Sequence, residues 1–504
     1  MAQLKSLPIK LDDPALVETS LNGCYVDGKF VTASGPTFNV VDPGSAEVWA
    51  TMKSATKADV DVAVKSAEKA FQKYRRVPAR ERARLILTWD SLIRRNKEDI
   101  ARVVVLETGK PYTEALGEVE YALTFSWWMA GEAERQHGST IEGANPNNRF
   151  ITTKQPVGVV AALTPWNFPV ALVVRKAATA LAAGCTVVSK PSPETPLSTL
   201  MIAQLATQAG FPAGCFNVLP CDAKHTPEIG KSLCEHSIVQ KVSFTGSSPI
   251  GKLLSQQCAN TTLKKVTLEL GGNGPFIIFE DADLDRAVSA LMQCKFRHAG
   301  QTCVCAQRVF VHKSISEKVT AELAKRISET LRLGHGFTEG VTLGPLTTSR
   351  SVEKAKKHVE DAVSKGAKLV LGGDRDTSAG NGYFFQPTLL TGMKDDMLIS
   401  SEETFAPVLA LYEFENEEEV LSRANDTDMG LTSYFFTQDA DRIWRVFEAI
   451  ETGNVGINTG MTTSAEAPFG GWHDSGLGKE AGMNYGISEY LKVKTATWNV
   501  NFSS

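Results

Sequence analysis

The chain has no Cys-x-x-Cys pair, no His-rich cluster and an odd number of cysteines. Its nine thiols, Cys24, Cys185, Cys215, Cys221, Cys234, Cys258, Cys294, Cys303 and Cys305, are scattered. Neither a disulfide framework nor a zinc site is expected, and a reducing compartment, read here as the cytoplasm, fits. A Gly-x-Gly-x-x-Gly fingerprint is missing, which excludes an ordinary dinucleotide loop. Net charge is only −4, and no patterning suggests a nucleic-acid surface or an acidic tail. Internal repeats and low-complexity linkers are absent. Residues 1–17 include Asp12, Asp13 and Pro14 and lack an apolar core or an Arg-rich face, so no secretory or transit signal is expected there. The uncharged run 157–174 is interrupted by Pro165, Asn167 and Pro169 and followed by Arg175-Lys176. It reads as a turn between a buried strand and a buried helix, and no membrane partner is expected.

What is present is a chain of 504 residues, too long for one simple core, so two or three domains are expected. Strands are expected over 25–31 and 38–41. Thr56 opens a helix with Asp59 in capping-box position, and Val60, Ala63, Ala67 and Phe71 share one face. Pro78 precedes a second helix. A third stops at Thr108-Gly109-Lys110-Pro111. The long helix over 113–133 carries Trp127 and Trp128, read as core. From Val157, strands over 157–163, 186–189, 217–219 and 239–245 alternate with helices. That spacing means βαβ units and a parallel sheet.

Ligands on such sheets bind at the C-terminal strand ends. Those ends carry Pro165-Trp166-Asn167, Lys190-Pro191-Ser192 and Thr245-Gly246-Ser247, a plausible nucleotide crevice. Gly246 to Lys252 resembles an NTPase phosphate loop, but Leu253 lacks the hydroxyl that would hold magnesium. Ser247 and the first free amides of the helix opened by Pro249 can still hold a phosphate. A second α/β unit begins near Glu269, with helices expected over 284–295, 316–333 and 352–365. The chain ends in 490–502, where Leu491, Val493, Trp498, Val500 and Phe502 fall at alternate positions of a terminal strand. An apolar face there suits pairing with another subunit.

Chemistry concentrates in the stretch from Phe296 to Gln307. Cys303 follows Gly300-Gln301-Thr302, among small and polar residues. That is a place to present a thiol to a ligand, and a reactive thiol needs access and something that favours its thiolate. Six further motifs accompany it in order: Glu107-Thr108-Gly109-Lys110-Pro111, Pro165 to Pro169, Phe244-Thr245-Gly246-Ser247, Glu269-Leu270-Gly271-Gly272, Glu402 to Pro407, and Pro468-Phe469-Gly470-Gly471. With these the chain resembles the aldehyde dehydrogenases over nearly its whole length.

The resemblance implies an α/β fold. It comprises a Rossmann-like parallel-sheet cofactor domain (1–132 and 156–268), an α/β catalytic domain (269–474) and a small β oligomerisation element (133–155 and 484–504). It implies that a Cys303 thiolate attacks the aldehyde, that hydride leaves to NAD(P), and that Glu269 activates water on the thioester. Asn167 and the Cys303 amide would hold the oxyanion. Thr164, Pro165, Trp166, Lys190, Ser192, Gly246, Ser247, Gly271, Glu403 and Phe405 would contact the cofactor. Strict NAD users carry an acid three residues after the lysine. Here that position is Pro193, so NADP is favoured over NAD.

Within the family the likeness is greatest to succinate-semialdehyde dehydrogenases. It rests on Lys295-Phe296-Arg297 before the nucleophile, Arg175-Lys176 after the Trp166-Asn167 turn, and Tyr485 to Tyr490. A substrate's distal carboxylate needs charge-assisted donors. Arg175, Arg297 and Ser464 would supply them, with Phe168 lining the pocket. Cys305, two residues from Cys303, is a candidate disulfide partner in a redox switch. His298, where relatives carry Asn, and Trp472-His473-Asp474-Ser475 depart from the pattern. Glutarate semialdehyde or another acidic aldehyde therefore stays open, as does a non-catalytic descendant. A homodimer or homotetramer is expected, with no nucleic-acid partner and no metal.

Overall fold

A computed structural model describes residues 10–18, 21 and 23–502. Two sheets organise them. In the first, five parallel strands run in the order Phe216–Val218, Thr186–Lys190, Val159–Leu163, Val239–Thr245 and Lys265–Glu269. The order reverses between Val159–Leu163 and Val239–Thr245. The crevice at such a reversal, outside the C-terminal strand ends, is where ligands bind. The antiparallel strands Gly23–Val26 and Lys29–Thr32 close one edge, and Gly476–Leu477 closes the other by pairing with Leu268 and Glu269. In the second sheet, Thr388–Thr391, Val408–Phe414, Arg308–His312, Pro275–Ile278, Thr432–Phe436 and Asn454–Ile457 are parallel neighbours. Leu491–Asn499 pairs antiparallel with Asn148–Pro156, which also pairs with Thr140–Glu142.

Local signals account for most elements. Thr56 and Asp59 form the capping box of Lys57–Tyr74, and Val60, Ala63, Ala67 and Phe71 are buried. Gly109, in the left-handed region at φ 81°, ends Lys97–Thr108. Three expectations change. Trp127 is 62% exposed and is not core, while Trp128 is half-buried beside Arg135. The helix from Ser316 ends at Thr330, short of Leu333. The segment before Val157 holds two strands, Thr140–Glu142 and Asn148–Pro156, as the expected small β element requires. The terminal strand spans Leu491–Asn499 and already has one neighbour within the chain, yet all of it after Leu491 is exposed. None of the helices among the described residues is long and apolar enough to cross a membrane.

Buried carboxylates fasten the helices that floor the crevice. Pro169–Ala183 and Pro196–Gln208 begin with proline and carry no acid in the first turn. Their free N–H groups still need acceptors. Glu118 accepts from Val170 and Ala171 at 2.8 and 3.2 Å. Glu107 accepts from Leu197 and Ser198 at 2.6 and 3.2 Å. Lys110 Nζ, equally buried, lies 2.5 Å from Glu118 and donates to the Asn167 carbonyl at 2.8 Å. Removing one partner of such a pair costs about 3–5 kcal/mol, whereas neutral replacement of both is close to neutral. Lys110→Met should therefore lower the melting temperature by about 3–5 °C. Adding Glu118→Gln, which still accepts from the helix, should recover most of the loss. Equal melting points for the single and double variants in a thermal scan would contradict this.

Candidate active site

The strand ends of the first sheet meet the nucleophile loop of the second unit around a cavity of about 200 Å³. Pro165, Trp166 and Asn167 enter it after Val159–Leu163, Gly246 and Ser247 after Val239–Thr245, and Gly271 after Lys265–Glu269. From the second unit come Cys303, Glu403 and Phe405. A Cβ on Gly271 would stand 2.8 Å from a Glu403 oxygen, so only glycine lets that carboxylate close on the strand end. Phe405 meets Trp166 edge-on at 5.5 Å. The buried oxygens of Thr164, Thr245 and Thr302, both Glu269 oxygens and Asn167 Oδ1 have no protein partner. Buried polar atoms are seldom orphaned, and this concentration fits a site built for a polar ligand. The N–H groups that open Ser248–Ala259 suit a phosphate, so the residues fit a dinucleotide.

Cys303 is half-buried against Val304, Leu431 and Phe469. Its loop leaves the helix Leu284–Phe296 through His298, Ala299 and Gly300 at φ 49°, 51° and 74°. A Cβ on Gly300 would collide with the Ala406 carbonyl. Gln301 then anchors the loop. Its Nε2 donates to the His298 carbonyl at 3.1 Å, its Oε1 accepts from Thr347 N at 2.9 Å, and its carbonyl accepts from Asn167 Nδ2 at 3.0 Å. The proposed oxyanion amide is thus tied to the nucleophile's own loop.

Electrostatics leave both reactive groups protonated. Burial pushes the Cys303 thiol up to about 12. Arg175 opposes that, Glu403 and Glu269 add to it, and Arg297 opposes it again. Burial, then the Glu480 carboxylate, raises Glu269 well above the carboxylate range. Against its own burial, Glu480 is held down to about 2 by Lys176 and Arg175. Lys176 bonds its Oε1, Ser243 donates to the same oxygen at 2.8 Å, and Arg175 Nε lies 2.8 Å from Oε2.

Other expected residues are placed differently. Lys190 and Ser192 do not line the cavity. Lys190 Nζ donates to the Pro191 carbonyl at 2.9 Å, and the Ser192 hydroxyl donates to Glu194. Arg175 is 4% exposed, paired with Glu480 and flanked by the rings of Phe125 and Phe469. Its Nε is committed to that ion pair, and its charge bears on Cys303. Arg297 is half-buried, with its guanidinium 5.5 Å from the Phe168 ring centre. Ser464 is exposed and donates to Glu466. Cys305 is fully buried, its Sγ directed at the carbonyls of Lys295 and Ala306 at 3.7 and 3.6 Å. A Cys303–Cys305 disulfide requires that thiol to turn away from both. His298 is buried edge-on to Trp166 and Phe168, whereas Trp472 and His473 are exposed. Asp474 and Ser475 tie the adjoining loop to Ser248 and Gly271.

Sequence reading passed over Glu480 and Glu118 and gave Lys176 no role of its own. One signal was available for Glu480, a lone acid inside the Gly-rich run 476–486. Glu118, on a helix, carried none.

Comparison with known proteins agrees with this geometry. Residues 30–496 match the aldehyde dehydrogenase family model. Succinate-semialdehyde dehydrogenase [NADP(+)] 1 of Schizosaccharomyces pombe is 48% identical over 474 residues, 94% of each chain. A 3-sulfolactaldehyde dehydrogenase of Pseudomonas putida is 47% identical over 487 residues, 96% of this chain and 98% of that one. The crystal structure of succinate-semialdehyde dehydrogenase from Burkholderia pseudomallei superposes with TM-score 0.94 at 44% identity, covering 98% of this chain and all of that one. The human mitochondrial succinate-semialdehyde dehydrogenase is 46% identical over 470 residues, 93% of this chain and 87% of that one. The rat and mouse relatives are likewise mitochondrial. These overturn the cytoplasmic expectation, for reduced thiols define a redox condition and not an address. With its cysteine, carboxyl and amide at a dinucleotide crevice, the chain belongs to the aldehyde dehydrogenase family and is an NAD(P)-dependent enzyme.

Proposed function

We propose that the protein oxidises succinate semialdehyde to succinate, with NADP favoured over NAD. The observation that carries this reading is Arg297. It is a half-buried cation beside the nucleophile, and among the described residues its side chain's only hydrogen bond is a long contact to Met461 sulfur at 3.8 Å. A cation so placed has capacity for a substrate's distal carboxylate. Arg175 adds positive field from its internal ion pair, and Phe168 forms the wall under Arg297.

In this mechanism the Cys303 thiolate attacks the aldehyde carbon. Asn167 Nδ2 and the Cys303 N–H take the oxyanion, each such donor being worth about 3 kcal/mol. When bound, the nicotinamide supplies the hydride acceptor. The acyl group is then a thioester on Cys303. Glu269, once ionised, removes a proton from the attacking water, and hydrolysis releases the carboxylate product and the Cys303 thiol. Both acids must ionise, and both are raised, so turnover grows as pH rises and fails as pH falls.

The competing substrates share the anion. They are glutarate semialdehyde and the sulfolactaldehyde named for the P. putida relative, whose sulfonate the same guanidiniums would hold. For assembly, we place a second copy against the terminal strand, where Val493 and Trp498 stand exposed, giving a dimer or tetramer. For the cofactor, a 2′-phosphate would draw Ser192 away from Glu194.

Three outcomes check these statements. Arg297→Ala should raise KM for succinate semialdehyde about 10–100-fold, with little change for hexanal, in steady-state kinetics; equal losses for both would remove the anion clamp. Glu269→Gln should cut steady-state turnover about 10²–10⁴-fold yet still form NAD(P)H in the first turnover. Its residual rate should fall less steeply than the wild type's as pH is lowered, because Cys303 alone then has to ionise. Glu194→Ala should lower KM for NADP more than for NAD, and an unchanged ratio would show that Glu194 does not reach the ribose.

A further inference from the structure

We propose that Glu114 is a positioning residue for Arg297, an assignment that rests on reading Arg297 as the substrate's anion clamp. Arg297 closes the helix Leu284–Phe296, and the next two residues, His298 and Ala299, both occupy the left-handed region at φ 49° and 51°. Non-glycine residues there are strained and persist only where their surroundings impose the conformation. The imposed contact comes from another element. Glu114, in the first turn of the helix Tyr112–Glu134, accepts the His298 N–H through Oε2 at 2.9 Å. It is the only hydrogen bond from that N–H among the described residues.

The side chains around the turn complete the clamp. The His298 ring lies edge-on to Trp166 at 6.2 Å and to Phe168 at 5.8 Å. Burial, then Lys110 and Arg297, keep it uncharged. Phe168 in turn carries two cations, with Lys110 Nζ 4.2 Å and the Arg297 guanidinium 5.5 Å from its centre. The carboxylate of Glu114 thus fixes the turn that aims Arg297, while His298 wedges the ring on which Arg297 rests. The Cys303 loop has further anchors of its own, since Gln301 bonds Asn167 and Thr347 as well as the His298 carbonyl. Loss of Glu114 should therefore misplace the anion clamp and spare the nucleophile.

Two variants separate geometry from charge. Glu114→Ala removes the acceptor, while Glu114→Gln keeps an amide oxygen that accepts the His298 N–H. With purified enzyme and saturating NADP, Glu114→Ala should raise KM for succinate semialdehyde about tenfold, leaving its kcat and the kcat/KM for hexanal within about threefold. Glu114→Gln should return KM to within about threefold of wild type. An unchanged KM in Glu114→Ala, an equal loss of kcat/KM for both aldehydes, or a Glu114→Gln enzyme as impaired as Glu114→Ala would overturn the assignment. If Arg297→Ala itself leaves KM unchanged, the anion clamp fails and Glu114 has nothing to position. If Arg297→Ala raises KM and Glu114→Ala does not, the clamp stands and the role of Glu114 falls alone.

Discussion

The buried carboxylate of Glu480 joins three parts of the molecule at one point. It binds Lys176 and Arg175 from the helix Pro169–Ala183 and Ser243 from the strand Val239–Thr245. Its own backbone pairs with Phe469, in the segment that returns from the second sheet to the first. A buried anion demands this much compensation, since removing any one partner leaves an unpaired charge at high cost. The helix, the central strand and the returning segment therefore keep one relative placement. Asn167, Glu269 and the nucleophile loop lie next to that junction, and the catalytic geometry inherits its rigidity.

The same anion sets the protonation of its neighbours. Two carboxyls in one buried region do not readily ionise together. Glu480 takes the cations, and Glu269 is left without a counter-ion and holds its proton. The Cys303 thiol is likewise desolvated, with Arg175 and Arg297 the cations that favour its ionised form. The site thus keeps a thiol and a carboxyl neutral while surrounding them with positive charge. Burial disfavours the thiolate at rest, and Arg175 and Arg297 offset part of that cost; the oxyanion would be met by donors already aimed at it.

Much of this was legible in the residues. The strand–helix spacing after Val157 announced the parallel sheet, the Thr56–Asp59 capping box marked a helix start, and Gly300 before Cys303 reflects a turn that admits no side chain. Contacts between distant segments were not legible. Nothing near Arg175 in sequence shows the acid, 305 residues on, that pairs with its Nε. The tie between Ser192 and Glu194 depends on how the chain turns after Lys190, which the residue types do not show. Trp127 reads as core on composition, yet its helix packs through Ala122, Ser126 and Met129 and leaves the indole outside. Periodicity ranks faces, but packing against other helices decides which face is covered.

The central claim is that an acidic aldehyde is oxidised while covalently attached to Cys303. Intact-mass and peptide-mapping spectrometry of the Glu269→Gln enzyme, quenched after one turnover with succinate semialdehyde and NADP, tests it most directly. The account predicts a mass gain of one succinyl group, confined to the peptide that carries Cys303 and absent when NADP is omitted. No adduct, or one on another thiol such as Cys305, would contradict it.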